Sequence, residues 1–155
     1  MKFRLYKLIA NGLGTGLLPL APGTWGAALA VLLVCPLAYL NPLVANLLLT
    51  GLVLAGGLLG VKASEAVIPE WGKDPKKVVI DEMVGVWIAL LGLPLANVYY
   101  LLAGFVLFRF FDIAKPLGIR EAEKVGGGWG IMLDDVLAGV YANIVLQIAR
   151  LIINN

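Results

Sequence analysis

The sequence predicts an all-α protein: a compact polytopic membrane helix bundle of about four to five membrane helices, one of them half-span or re-entrant, preceded by an N-terminal interfacial helix. Three observations carry this expectation. The 155 residues are 61% hydrophobic and only 14% charged, well outside the usage of an average soluble domain. Apolar runs near the length of a bilayer crossing recur along the chain. The charged residues fall between those runs and collect on one side once the runs are threaded up and down. With the membrane segments subtracted, the length leaves no room for a second core, so residues 1–155 are expected to form a single domain.

Residues 1–16 begin with Lys2, Arg4 and Lys7 among apolar side chains, the pattern of a short helix lying at a membrane surface. A cleaved signal peptide fits less well, because no small-residue cleavage site is followed by a hydrophilic chain. The GLGTG of residues 12–16 matches neither GxGxxG nor GxxxxGK and follows no strand pattern, which argues against a nucleotide loop. Pro19, Pro22 and Gly23 then mark a turn. Residues 26–40 form a slightly short apolar run in which Pro36 is expected to introduce a kink. After a turn at Pro42, residues 43–61 have the length of a full crossing, and Gly56, Gly57 and Gly60 invite close packing of a neighbouring helix.

Residues 62–82 are the first long polar stretch, and Pro69 and Pro75 are expected to break any single helix there. The apolar run over residues 83–111 is too long for one span and barely enough for two. Pro94 and Asn97 place a hairpin in it, giving helices over residues 83–93 and 98–111. The first is the half-span or re-entrant element, tolerated where protein covers its backbone. Residues 126–135, GGGWGIMLDD, read as a flexible interfacial loop, and the last helix is expected over residues 135–152.

With turns at Asn41, at residues 94–97 and at the C-terminus on one side, every Lys and Arg except Arg150 falls on the other, together with all ten acids. An excess of Lys and Arg marks the cytoplasmic side. The chain is therefore expected to be multi-pass, with its charged face in the cytoplasm. A net charge of +2 is too small to argue for nucleic acid, and membrane lipids are the expected surroundings.

The absent residue types narrow the chemistry. There is no histidine, Cys35 is the sole cysteine and has no basic neighbour, and Ser64 is the sole serine. Histidine-dependent triads, a phosphohistidine, a histidine-rich zinc site and a disulfide within the chain are excluded. Asp81 with Glu82, and Asp134 with Asp135, each stand before an apolar run. Helix capping accounts for one carboxylate per helix and less well for two. Asp112 is placed near a helix C-terminus, where a negative charge is disfavoured unless something positive compensates. A hard divalent cation such as Mg²⁺ would do so, leaving room for water and a phosphate. Arg109 and Lys115 lie three residues to either side of Asp112, and either serve a phosphate or simply pair with that acid. Lys73, Lys76 and Lys77 read as a solvated run facing lipid headgroups. Trp25, Trp71, Trp87 and Trp129 read as interfacial anchors or packing. Thr24 is either a phosphate donor or a helix cap.

Four blocks, GLGTGLLPLAPGTWG, VIDEMVGVWIAL, FVLFRFFDIAKPLGI and GGGWGIMLDDVLAGV, together resemble the four signature blocks of the phosphatidylglycerophosphatase A family, in order and at similar spacing. The resemblance covers residues 12–140, with Thr15 where some members carry serine. It implies a Mg²⁺-dependent phosphoric monoester hydrolase that removes the terminal phosphate of phosphatidylglycerol phosphate in bacterial phospholipid synthesis. It also implies an acidic set of Asp81, Glu82, Asp112, Asp134 and Asp135, basic residues Arg109 and Lys115, and a substrate site lined by Gly23, Thr24, Gly128 and Gly130.

Within that frame Glu82, Asp112, Asp134 and Asp135 are the expected metal ligands, and Asp81 is a ligand, a general base or a helix cap. Neighbouring residues on a helix point about 100° apart, so one of Asp134 and Asp135 is expected to ligate while the other orients or caps. Without histidine, a usable cysteine or a DxDx(T/V) motif, hydrolysis by water activated at a metal ion is the simplest mechanism. Arg109 and Lys115 would stabilise charge on the phosphate oxygens. Two other classes stay in view. A small transporter or channel suits glycine-rich helices and membrane acids, but the acids gather at one face and no internal repeat is visible. The other is a non-catalytic lipid-binding subunit.

Overall fold

A computed structural model of the chain describes residues 2–73, 75–116 and 118–153. Asp74 and the side chain of Glu123, both counted above among the acids of the charged face, lie outside that description. Among the described residues there are seven α-helices and no strand: α1 (Lys2–Ala10), α2 (Pro22–Val34), α3 (Pro42–Trp71), α4 (Ile80–Ala89), α5 (Val98–Ala114), α6 (Ile119–Ala122) and α7 (Gly127–Ile153). Short 3-10 segments join them, and the one after α2 (Cys35–Tyr39) begins where Pro36 interrupts the α-helical ladder.

The bundle is built around α4, which packs against α2, α3, α5 and α7. Its residues Met83, Val84, Gly85, Val86 and Trp87 are buried without a break, so it is apolar all round rather than amphipathic. Trp87 is packing rather than an interfacial anchor, with its indole N–H donating to the Ala30 carbonyl at 3.1 Å. Trp25 and Trp129 are exposed, in keeping with anchors.

Ten residues rise only about 15 Å, half the hydrocarbon thickness, so α4 stops inside the bundle. The carbonyls freed where it ends need partners. Asn143 on α7 donates to the Ala89 and Leu91 carbonyls at 3.0 and 2.8 Å, and Gln147 donates to Leu91 at 2.9 Å. The half-span expected from the apolar run is thus this helix, shifted to begin at Ile80 and to end at Ala89.

Three stretches are long and apolar enough to cross a membrane: Pro22–Tyr39, Pro42–Trp71 and Gly127–Ile153. At 17 residues α5 lies at the short end of that range. The outward faces of these helices carry exposed apolar side chains, among them Leu47, Leu54, Val106, Ile144 and Ile148. Such a surface needs lipid as its solvent.

Two expectations are corrected. Pro69 does not break the polar stretch, since α3 runs through it to Trp71, beyond the apolar portion. The glycine-rich stretch before the acidic pair is not a loop: α7 starts at Gly127, and its glycines serve helix contact. A Cβ on Gly128 would lie 2.2 Å from the Val61 carbonyl oxygen of α3, so absence of a side chain lets the two backbones meet. Asp134 and Asp135 therefore stand about two turns inside α7 and cannot be its caps.

Candidate active site

A cleft of about 780 Å³ opens at the charged end of the bundle, walled by the first turns of α2 and α4, Glu65 and Ile68 of α3, the end of α5, the first turns of α7, and Lys73, Pro75, Lys76 and Val78. Its size falls in the usual range for ligand pockets. Six lining side chains are acidic and four are basic, so acidic groups outnumber basic ones in the cleft.

The carboxylates come together through close helix contact. Gly85 lies four residues after Asp81, and Gly139 four after Asp135, so each glycine sits one turn from an acid on the same face. A Cβ on Gly139 would stand 2.4 Å from the Gly85 carbonyl oxygen, and one on Gly85 would stand 2.8 Å from the Asp135 carbonyl oxygen. The α4 and α7 backbones touch there, which draws their acids across the gap. Asp81, Glu82 and Asp135 consequently offer ligand oxygens that all lie within 4.8 Å of one another. Gly23 admits Glu82 from the α2 side, because a Cβ at Gly23 would fall 2.0 Å from the Glu82 Oε1 atom.

Around this triad stand two ion pairs. Arg109 donates to Asp112 one turn along α5, and Lys115 donates from its Nζ to Asp134 Oδ2 at 2.8 Å. Lys115, at φ 44°, terminates α5 in the left-handed region. That turn aims its side chain at α7. Asp112 is also within electrostatic reach of Asp81, Glu82 and Asp135.

The triad could hold a cation, and its electrostatics are compatible with one. On α4, which is too short to span, burial pushes the Asp81 carboxyl above its ordinary range against the opposing pull of its hydrogen bonds with Glu82, while burial and then the neighbouring Asp81, Asp135 and Asp112 carboxylates push Glu82 well above it. The buried Glu82 Oε2 and Asp135 Oδ1 atoms have no hydrogen-bond partner among the described residues. Unpaired buried oxygens of like charge are costly. An all-oxygen donor set without histidine or thiolate fits a hard divalent ion rather than zinc.

A family model described as phosphatidylglycerophosphatase A matches residues 8–150. The chain belongs to the phosphatidylglycerophosphatase A family. It is 43% identical to phosphatidylglycerophosphatase A of Haemophilus influenzae, over 90% of this chain and 85% of that one. The Escherichia coli protein of the same name is 39% identical, over 87% of this chain and 77% of its own. A Bacteroides thetaiotaomicron protein provisionally named a phosphatidylinositol-3-phosphatase is 48% identical, over 94% of each chain. No solved structure matches the chain.

The phosphatidylglycerophosphatase A blocks thus meet at the cleft, though not every residue expected there faces it. Asp81, Glu82, Arg109, Asp112, Lys115, Asp134, Asp135, Gly23 and Gly130 line it. Thr24 and Gly128 do not. Thr24 lies within the first turn of α2, where its own N–H bonds to the Ala21 carbonyl at 2.9 Å. Gly128 is buried against α3, and its N–H donates to Glu65 Oε2 at 2.5 Å. Among the acids, the close metal-competent group includes Asp81 and leaves Asp112 and Asp134 in their ion pairs.

Sequence reasoning passed over Glu65, which lines the cleft and caps the start of α7 from another helix. As one acid in a mixed polar stretch, sixty-three residues from its partner, it gives no local signal. Lys73 and Lys76, read as headgroup-facing, also line the cleft.

Proposed function

We propose that the protein is a Mg²⁺-dependent lipid phosphatase that hydrolyses the terminal phosphomonoester of phosphatidylglycerol phosphate to give phosphatidylglycerol and inorganic phosphate. The single observation that carries the reading is the meeting of Asp81, Glu82 and Asp135 beside Arg109 and Lys115 in one cleft at the charged end of a membrane bundle. By the same reading Asp81, Glu82 and Asp135 hold the ion. A bound Mg²⁺ supplies positive charge against the phosphate oxygens and makes water a stronger nucleophile at neutral pH.

The chain's own groups do the rest. Arg109 and Lys115 face the charge on the non-bridging oxygens of the scissile phosphate. Asp112 holds the guanidinium in place and Asp134 holds the ammonium, so both cations are oriented before substrate arrives. Gly23 and Gly130 present backbone at the cleft wall, and at Gly23 the missing side chain leaves room for Glu82. The excess of Lys and Arg at this end supports a cleft on the cytoplasmic side of a bacterial inner membrane.

The name of the Bacteroides relative favours a second substrate, phosphatidylinositol 3-phosphate. The two lipids share a phosphomonoester on a polyol and an internal phosphodiester on the diacylglycerol side. One assay separates them: purified protein in neutral detergent micelles, with Mg²⁺ or with EDTA, given each lipid and scored for phosphate release. Faster turnover of phosphatidylglycerol phosphate that stops with EDTA is expected. Undiminished activity under chelation overturns the metal, and preference for the inositol lipid overturns the substrate. Ion flux in liposomes with no hydrolysis of either lipid would instead favour a channel.

A further inference from the structure

We infer that Lys73 and Lys76 form a subsite for the internal phosphodiester of the lipid, separate from the groups that meet the scissile phosphate. The inference rests on the lipid-phosphatase reading of the cleft. It starts from a charge imbalance: an anionic lipid must enter a cleft in which six carboxylates outnumber four cations. Two of those cations, Arg109 and Lys115, already face Asp112 and Asp134. Lys73 and Lys76 are exposed lining residues, and neither is paired with a carboxylate among the described residues. They are the cleft's remaining source of attraction for a second anionic group.

Their placement is built by the loop. Pro75 is buried between them, and the Val78 N–H closes a turn onto the Pro75 carbonyl at 2.8 Å. Val79 N–H reaches the Ala10 carbonyl at 2.9 Å, tying the loop to α1. Gly16 lies so close to the Lys77 carbonyl that a Cβ there would stand 2.1 Å from its oxygen. This anchoring sorts the three lysines by direction. The Lys77 ammonium lies 5.9 Å from the Trp71 ring centre, away from the lining, whereas Lys73 and Lys76 face the cleft.

A phosphodiester keeps its single charge at any working pH and differs from the scissile group by that charge and by position. The decisive probe is therefore a phosphotriester analogue of phosphatidylglycerol phosphate, methylated on the internal phosphate so that only its charge is removed. Turnover is measured in neutral detergent micelles, and equilibrium binding is measured in the same micelles with EDTA.

For the wild-type protein the analogue should show a KM and a Kd raised about tenfold, the scale of a lost charge-assisted contact. The K73Q/K76Q double variant should raise KM and Kd for the natural diester by about the same factor, keep kcat, and no longer distinguish diester from triester. The K73R/K76R variant should recover the distinction. Equal losses on diester and triester, or a fall in kcat alone, would overturn the subsite. So would an effect seen only in vesicles of anionic lipid, because that reports attraction to the bulk membrane. If the wild type hydrolyses neither lipid, the phosphatase reading fails, while the EDTA binding contrast still decides the subsite.

Discussion

At the end of the bundle away from the cleft, Asn46, Asn143, Gln147 and Arg150 exchange hydrogen bonds with backbone, mostly around the turn after α4. At the cleft end, Glu82 and Asp135 keep buried oxygens that no described donor reaches. Both sets draw side chains from α7, and both are costly to place in an apolar bundle. The difference lies in what repays the cost. At the far end it is structure, because broken backbone needs donors at membrane depth. At the cleft end the metal ion proposed for Asp81, Glu82 and Asp135 would complete the set. The molecule thus separates a closed polar network from an open one by about two turns of α7, from Asp135 to Asn143.

The sharpest way to test that division is to exchange charge for shape at the open end. Asp135→Asn keeps size and removes one ligand charge, so Mg²⁺-supported turnover should fall by about a hundredfold or more, at least the loss seen when partners around a metal site are removed. The thermal midpoint in detergent should hold or rise, since crowding among like charges is relieved. A variant that keeps its turnover would place the ion elsewhere. Next in size is the contact that makes the open end possible. Gly139→Ala introduces a Cβ 2.4 Å from the Gly85 carbonyl oxygen, and overpacking of this kind costs about 1–3 kcal/mol. Because helix separation also spreads the acids, turnover and Mg²⁺ affinity should both fall beyond what the lost stability explains. Loss of stability alone would mean that the triad does not depend on this crossing.

How far the sequence disclosed this arrangement follows from the range of each interaction. Lys and Arg placement along the chain needs only counting, and it puts the cleft residues at one end before any packing is known. The half-span was legible because an apolar run of fixed length must divide around Pro94 and Asn97. Residues 126–135 were misread because glycine is a poor helix former in water, at about 1 kcal/mol relative to alanine. In α7 that cost is met by contact with α3, which local pattern cannot display. Pro69 misled because it stands only two residues before α3 ends at Trp71, and the helix runs through it. Lys115 with Asp134 and Glu65 with Gly128 were out of reach, since each joins elements whose neighbourhood appears only on folding.

At the closed end, Asn143→Leu should invert the pattern. The Ala89 and Leu91 carbonyls lose a donor each, though Gln147 still serves Leu91. Leaving a buried carbonyl unsatisfied costs about 1–3 kcal/mol, so the thermal midpoint should drop. At temperatures where the variant stays folded, kcat and Mg²⁺ dependence should match the parent protein. A selective loss of kcat would show that the two ends are coupled along α7 rather than separate.

The smallest effect is expected at Glu65, which sits at the open end but behaves like a residue of the closed one. Its carboxylate accepts from Gly128 N–H at the start of α7, where the chain offers no side chain of its own because Gly126 and Gly127 precede it. Losing a capping acceptor costs about 0.5–2 kcal/mol, so Glu65→Ala should lower the thermal midpoint slightly. Glu65→Gln keeps an acceptor oxygen and should restore most of that stability. The same Gln variant removes a negative charge from a cleft that already holds too many, so KM for an anionic lipid should fall modestly while kcat holds. A lower thermal midpoint for Ala together with a lower KM for Gln would identify Glu65 as a structural cap placed where its charge is a mild hindrance. A large fall in kcat for Gln would instead move it into the open, catalytic set.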